Sequence, residues 1–519
     1  MSTIENFQNH ITTGYTHKKD SFIIGVAKLN GEPVEGAQVK IPLKTLNRHG
    51  LIAGATGTGK TKTLQVFAEQ MSLKGIPCLL MDLKGDLSGL AQPGEVNDHI
   101  LARHKSIGTE YKAEAMNVEL LSLSNEPGVK LRATVSEFGP VLFSKILELN
   151  DTQQSVMSVI FKYCDDHRLP LIDLKDVKQV MQYLMEDGKE IIEKEYGFVS
   201  PTSIGAIARK IIEIEQQGAD RFFGERSFDV ADLCRTEDGK GVISILRLTD
   251  IQDKPKLFST FMLSLLAEVY ATFPEEGDAD KPKLCIFIDE AHLVFKEASS
   301  ALLDQLEAII KLIRSKAVGV YFCTQDPTDV PDAILGQLGL KVQHALRAFT
   351  AKDRKAISKT AENYPISEYY KTDEVLTSLG IGEALITALN EKGVPTPLAA
   401  TLLNAPKSRM DILTSEEINA LVRKSSLTAK YNEDIDRESA YEILKKKMEA
   451  ADEDEHRREI EAQNDAAEKA TNGRTRTTKE KSLVEQVTKN TMVRQVGRTI
   501  FRELTRGLLG ALGIGSKRR

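Results

Sequence analysis

Tryptophan is absent from the 519 residues, and aromatic side chains make up only 6%. A packed interior is not thereby excluded, because 41% of the residues are hydrophobic, an ordinary share for a globular chain. Cysteine is sparse: Cys78, Cys164, Cys234, Cys285 and Cys323 lie far apart, mostly within apolar runs. They read as small buried hydrophobes in a reducing compartment, not as a disulfide framework or a zinc site. No stretch approaches the length of uninterrupted apolar sequence that a membrane span needs, and "MSTIENFQNHITTGY" lacks the charged-then-apolar form of a signal peptide. The expectation is a cytoplasmic protein without a transmembrane segment. Excess positive charge is also missing: 69 Lys and Arg stand against 75 Asp and Glu, a net charge of −6. This excludes a uniformly basic nucleic-acid coat and leaves room for a local basic channel. No metal-ligand cluster, internal repeat or NKxD-like selector is evident.

What the chain does have is a series of short apolar runs. "GLIAGA" (50–55), "IPCLLMD" (76–82), "GVISILRL" (241–248), "LCIFIDE" (284–290) and "GVYFCTQ" (319–325) are bounded by Gly, Pro or polar residues, as buried parallel strands are. Helical patterns over 60–73, 255–273 and 299–315 separate several of them and imply right-handed crossovers. The fold class is therefore α/β with a mostly parallel sheet. Residues 136–218 read mostly as helix, too long for a connection and better seen as a helical insert. "VQHALRAF" (342–349), "EALITAL" (383–389) and "PLAATLL" (397–403) are expected to extend the sheet. Length suggests two to four structural units. The expected division is a short N-terminal segment (1–40), a main α/β domain with the helical insert (41–415) and a charged extension (416–519). Residues 433–469, crowded with charge, are expected to form a charged helical extension, either a solvated helix or one that binds a partner, which joins the tail to the rest of the chain as an extended, mobile arm.

One loop carries the chemistry. "GATGTGKT", Gly54 to Thr61, fits G-x-x-x-x-G-K-[ST] between a strand and a helix. Gly54, Ala55, Thr56, Gly57, Thr58 and Gly59 supply backbone N–H groups for phosphates, and Lys60, Thr61 and Lys62 open a helix whose dipole favours anions. Lys60 is expected at the β and γ phosphates and Thr61 at Mg²⁺. In "LCIFIDEAH", Asp289 leaves a strand end where it would hold Mg²⁺, and Glu290 is placed to take a proton from attacking water. Gln325, ending "YFCTQ", would orient that water. His292 beside this pair is read as a structural hydrogen bonder. Arg48 and His49, before the first of these strands, either touch base or ribose or shape the turn.

Taken together, "NRHGLIAGATGTGKT", "MDLKGDLSGLA", "FIDEAHLVF", "LIRSKAVGVYFCTQDP" and "LGQLGLKVQHALRAFT" resemble the bacterial HerA-like ATPases of the YjgR type, in the HerA/FtsK superfamily. The resemblance runs from about residue 20 to 412. It implies a RecA-like P-loop motor, a homohexamer, and ATP hydrolysis related to DNA translocases. It also implies that Asp82 contributes to the active site from its strand end, and that Arg314 of "LIRSK" acts on the neighbouring subunit's nucleotide, with Arg347 as the competing candidate. Full HerA proteins carry an N-terminal β-barrel, whereas only about forty residues precede this motor, so functions that need the barrel are not implied.

The motor's substrate is not written in the motifs. A DNA translocase or helicase-like motor on double-stranded DNA is the leading expectation; an ATPase that powers a protein partner and a nucleotide-gated membrane-surface scaffold are the alternatives. From Gly473 onward twelve Lys or Arg face three Glu. Arg494, Arg498, Arg502 and Arg506 recur every four residues opposite Val493, Val496, Ile500, Leu504 and Leu508, a pattern that predicts a basic amphipathic helix. Such a helix suits phosphate backbones, an acidic membrane surface, another protomer or the motor's own acidic surface.

Overall fold

The computed structural model describes residues 3–472 except 253, 278, 297–299, 434 and 436. The basic tail expected from Gly473 lies outside the described residues. The strands are β1 (Ser21–Leu29), β2 (Glu32–Pro42), β3 (Gly50–Ala53), β4 (Cys78–Asp82), β5 (Val118–Ser122) and β6 (Val129–Lys130). A small hairpin, β7 (Thr236–Glu237) and β8 (Lys240–Gly241), precedes β9 (Ile243–Arg247), β10 (Leu284–Ile288), β11 (Val318–Thr324), β12 (Leu340–Gln343), β13 (Glu383–Ala388) and β14 (Ala399–Leu403).

Twelve of these make one sheet in the order β2-β1-β14-β13-β12-β3-β11-β10-β4-β9-β5-β6. Every pairing from β12 to β6 is parallel. The four strands on the other side join antiparallel. The mostly parallel α/β sheet is as the apolar runs implied. In β3, β4, β10 and β11 every residue is buried, which is why they are apolar throughout instead of alternating.

Two compact units divide the described residues: 3–161, 171–174 and 205–437 in the first, and 162–170, 175–204 and 438–472 in the second. These boundaries differ from the expected ones at both ends. Residues 1–40 are not a separate segment, because β1 pairs with β14 and β2 with β1, and helix α1 (Thr3–Gly14) buries Phe7 and Ile11 in the main core. The turn between β1 and β2 is Asn30-Gly31, both at positive φ (52° and 87°), the hairpin signal that a segment boundary near residue 40 overlooks. The expected insert is helical: Val135–Ile146, Asp151–His167, Leu174–Met185, Lys189–Glu195 and Pro201–Gln216.

The charged extension is helical over its described residues, as expected. Residues 440–472 form one helix, Ala440–Asn472. Within the second unit its first turn is held by Asp176, whose buried carboxylate accepts from Ser439 Oγ (2.5 Å) and Tyr441 N–H (2.8 Å). That is a capping arrangement made by a residue distant in sequence, and Ala440 and Leu444 are buried beside it.

Candidate functional site

The site is built where β3, β11 and β12 end together. Beyond Ala53 the chain turns through Gly54, Gly57 and Gly59, at φ of 148°, 77° and 108°. A side chain at Gly54 would bring its Cβ to 2.5 Å from His344 Cβ, so both the conformation and the close approach require glycine. The loop hangs from its neighbours by three backbone bonds. Gly54 N–H donates to Thr324 O (3.2 Å), Ala55 N–H to Ala345 O (2.9 Å), and Gly382 N–H to Thr58 O (3.1 Å). Helix α2 (Lys60–Leu73) starts directly afterwards, and Thr63 N–H makes its first bond back to Gly59 O. The N–H groups of Lys60, Thr61 and Lys62 therefore open the helix as anion donors.

Lys60 is buried, and its ammonium donates to Ala55 O at 3.1 Å. Burial lowers its proton affinity, the Lys84 charge lowers it further, and Glu290 and Asp289 work the other way. The Lys62 ammonium is committed to Met410 O (2.5 Å), which leaves its backbone N–H for a ligand.

Parallel pairing of β10 with β4 and β11 brings the acids to the same rim. Asp289 and Glu290 are 4% and 5% exposed. Burial, reinforced by Glu290, pushes the Asp289 carboxyl up to about 7. Its Oδ2 is buried with no hydrogen-bond partner. An unsatisfied buried oxygen in this position fits a hard divalent cation held by one or two protein oxygens plus substrate phosphates, and Thr61 is the second oxygen that would reach it. Glu290 ion-pairs with Lys84. Its Oε2 also receives Gln325 Nε2 (3.4 Å) and lies 3.2 Å from His292 Nδ1. Gln325 Oε1 in turn accepts from Thr56 Oγ1 at 3.1 Å, so one amide bridges the loop to the carboxylate. Thr324 is fully buried and bonds Asp329 (2.7 Å).

The remaining expected residues separate. Asp82 is buried, and its carboxylate accepts the N–H groups of Gly85 (2.7 Å), Asp86 (3.2 Å) and Leu87 (3.1 Å). Burial and the nearby Asp86 raise it to about 6. It shapes its own loop beside the acids. Arg314 is exposed at the opening end of β11, the opposite rim from the phosphate loop. Arg347 is exposed on the same rim as that loop, two residues beyond Ala345. His49 is buried, with Nε2 at Ile310 O (2.9 Å) and Nδ1 accepting from Val320 N–H (3.0 Å). Both ring nitrogens are spent at the far end of β3, so His49 shapes the turn and does not touch base or ribose; Arg48 precedes it there. Two residues escaped the motif reading. Lys84, the first cation after Asp82, was visible in "MDLKGD". His344 lies under the loop, bonds Thr63 Oγ1 at 2.9 Å, and is pushed down to about 4 by burial and then by Lys60.

A glycine loop on a strand-to-helix junction, a buried lysine, and an Asp-Glu pair ending a nearby strand together define a P-loop nucleoside triphosphatase. The chain belongs to the helicase HerA-like C-terminal family, whose model matches residues 27–519, and it is a P-loop ATPase of that family. Among curated proteins it resembles the DNA double-strand break repair helicase HerA of Sulfolobus acidocaldarius, at 20% identity over 76% of this chain and 72% of that one. The protein of the same name from Sulfurisphaera tokodaii is 23% identical over 70% of this chain and 66% of its own length. Among solved structures, the bacterial conjugative coupling protein TrwB has the same fold, with a TM-score of 0.50 and 14% identity over 78% of this chain and 94% of that one.

Proposed function

We propose that this protein is an ATP-driven motor that moves along double-stranded DNA as a homohexameric ring in the cytoplasm. The observation that carries the ATPase chemistry is the bridge from Thr56 through Gln325 to Glu290, which ties the phosphate loop to the proton acceptor. Lys60 and the loop N–H groups hold the phosphates, Gln325 orients water, and Glu290 takes its proton as the terminal phosphate leaves. When bound with the nucleotide, Mg²⁺ neutralises charge on the phosphates, and Asp289 and Thr61 are the residues that would hold it. Asp82 positions the adjoining loop. Arg314, exposed on the rim away from its own nucleotide, suits delivery to a neighbouring subunit; Arg347 suits contact nearer its own. The DNA substrate rests on the likeness to the archaeal repair helicases. Among the described residues, no helix is long and apolar enough to cross a membrane.

Turnover is the test, measured without DNA and with single- or double-stranded DNA over a range of salt concentrations. Stimulation by the duplex that falls steeply with salt is expected, because backbone contacts release counterions. Turnover indifferent to both DNAs would remove DNA as the substrate while leaving the ATPase in place.

A further inference from the structure

Lys84 stands in a loop that is pinned from both sides. Asp82 holds the N–H groups of Gly85, Asp86 and Leu87, and the Leu83 carbonyl accepts the Gln252 side-chain amide. From this loop the Lys84 ammonium reaches across to the next strand's end and ion-pairs with Glu290. The two partners are unequal. The Glu290 side chain is 7% exposed and bonded on its other oxygen, whereas that of Lys84 is 42% exposed. The carboxylate is the fixed half and the cation the movable one.

The Lys84 ammonium occupies one carboxylate oxygen of Glu290, and Gln325 bonds the other. Glu290 therefore sits in the right place with both oxygens engaged. Lys60 and Lys84 also act on the same pair of acids. Although burial opposes its charge, Lys84 is raised overall by Glu290, Asp289 and Asp86, and its charge in turn depresses Lys60. Two ammonium groups that repel each other beside a phosphate loop are both relieved by a third negative phosphate.

We propose that Lys84 is a latch on Glu290 that ATP opens: the ammonium leaves the carboxylate for the terminal phosphate, and Glu290 becomes free to accept a proton from water. The exchange transfers no proton and breaks no covalent bond. ADP lacks the γ-phosphate that draws Lys84 away, so the latch stays shut after hydrolysis. This rests on the ATPase reading of the site and adds to it a residue that senses which nucleotide is bound.

The experiment is a binding cycle with full-length wild type, Lys84→Ala, Glu290→Gln and the double variant, titrated with a non-hydrolysable ATP analogue and with ADP in Mg²⁺. Thermal denaturation verifies that each is folded. In Glu290→Gln the lysine has lost its ionic partner, so affinity for the analogue should rise on the order of tenfold, one charge-assisted phosphate bond, while ADP affinity stays as it was. Adding Lys84→Ala should abolish that gain. Equal affinity of Glu290→Gln and the double variant for the analogue overturns the latch, as does an equal loss of ATP-analogue and ADP affinity in Lys84→Ala. Turnover by Glu290→Gln is measured separately: a normal rate would remove Glu290 as the base, whereas the binding cycle speaks to Lys84 alone.

Discussion

At the scale of single residues, the phosphate loop was legible in the sequence because its demands are local: three glycines at positive φ, a lysine and a threonine opening a helix. Lys84 was visible as a cation in "MDLKGD", but its pairing with Glu290 was not, since that is chosen by the register of β4 against β10, which no sequence spacing reveals. Lys60→Ala is expected to lower turnover at least about 100-fold with a marked loss of nucleotide affinity, because a preorganised cation at the phosphates is removed. Glu290→Gln should lose turnover by a comparable factor, about 10²–10⁴, yet still bind ATP, as steady-state hydrolysis and calorimetry will tell apart. Asp289 adds a pH signature. An aspartate in the unfolded chain titrates near ~3.9, and in the fold at about 7. Between those values the folded state holds the extra proton, so stability of the nucleotide-free protein falls as pH rises from about 4 to 7 and the loss is complete above that. Asp289→Asn should therefore raise the Tm at pH 8 without nucleotide, by the equivalent of roughly 2–4 kcal/mol, and the gain should shrink toward pH 4. An unchanged or lower Tm at pH 8 would show that this carboxylate is not a strained one.

At the scale of elements, period and composition located the central strands because each is buried on both faces and so apolar throughout. The edges were harder. β1 and β2 were passed over as a leading segment although their Asn30-Gly31 turn marks a hairpin, and β6 is only two residues long, below what a pattern can show. His344 illustrates a further limit. Its neighbours suggested one continuous strand over 342–349, but β12 stops at Gln343, and the histidine then turns under the loop to meet Thr63. The charged arm was legible as a helix, but composition does not show that a distant carboxylate, Asp176, joins the local Glu442 in holding its first turn. Asp176→Ala removes that acceptor from Ser439 and Tyr441. A loss of about 1–2 kcal/mol is expected within the second unit, read as roughly tenfold faster amide exchange over 440–446, while nucleotide affinity is retained. Unaltered exchange there would mean the helix holds itself without its cap.

For the whole molecule, the placement of Arg314 and of the phosphate loop on opposite rims of the sheet makes a ring testable by mixing. On the proposed ring, with Arg314 acting on a neighbour's nucleotide, Lys60→Ala subunits lose their own site and Arg314→Ala subunits lose their neighbour's, so each alone is expected to be nearly inactive. Mixed rings contain some junctions with both good halves, and turnover should return in proportion to them. No recovery despite demonstrated subunit exchange would move the arginine's role elsewhere, with Arg347 next to be tried. The order of strands in the sheet has a further consequence, for biosynthesis. β3 carries the phosphate loop early in the chain, yet its two neighbours are β11 and β12. Gly54 must wait for Thr324, Ala55 for Ala345 and Thr58 for Gly382. A ribosome adding about 5–20 residues per second needs on the order of tens of seconds to deliver those partners after the loop itself has emerged. Until then the nascent chain carries every letter of the phosphate-binding motif and none of its architecture, so the growing polypeptide cannot spend ATP before its motor is almost entirely made.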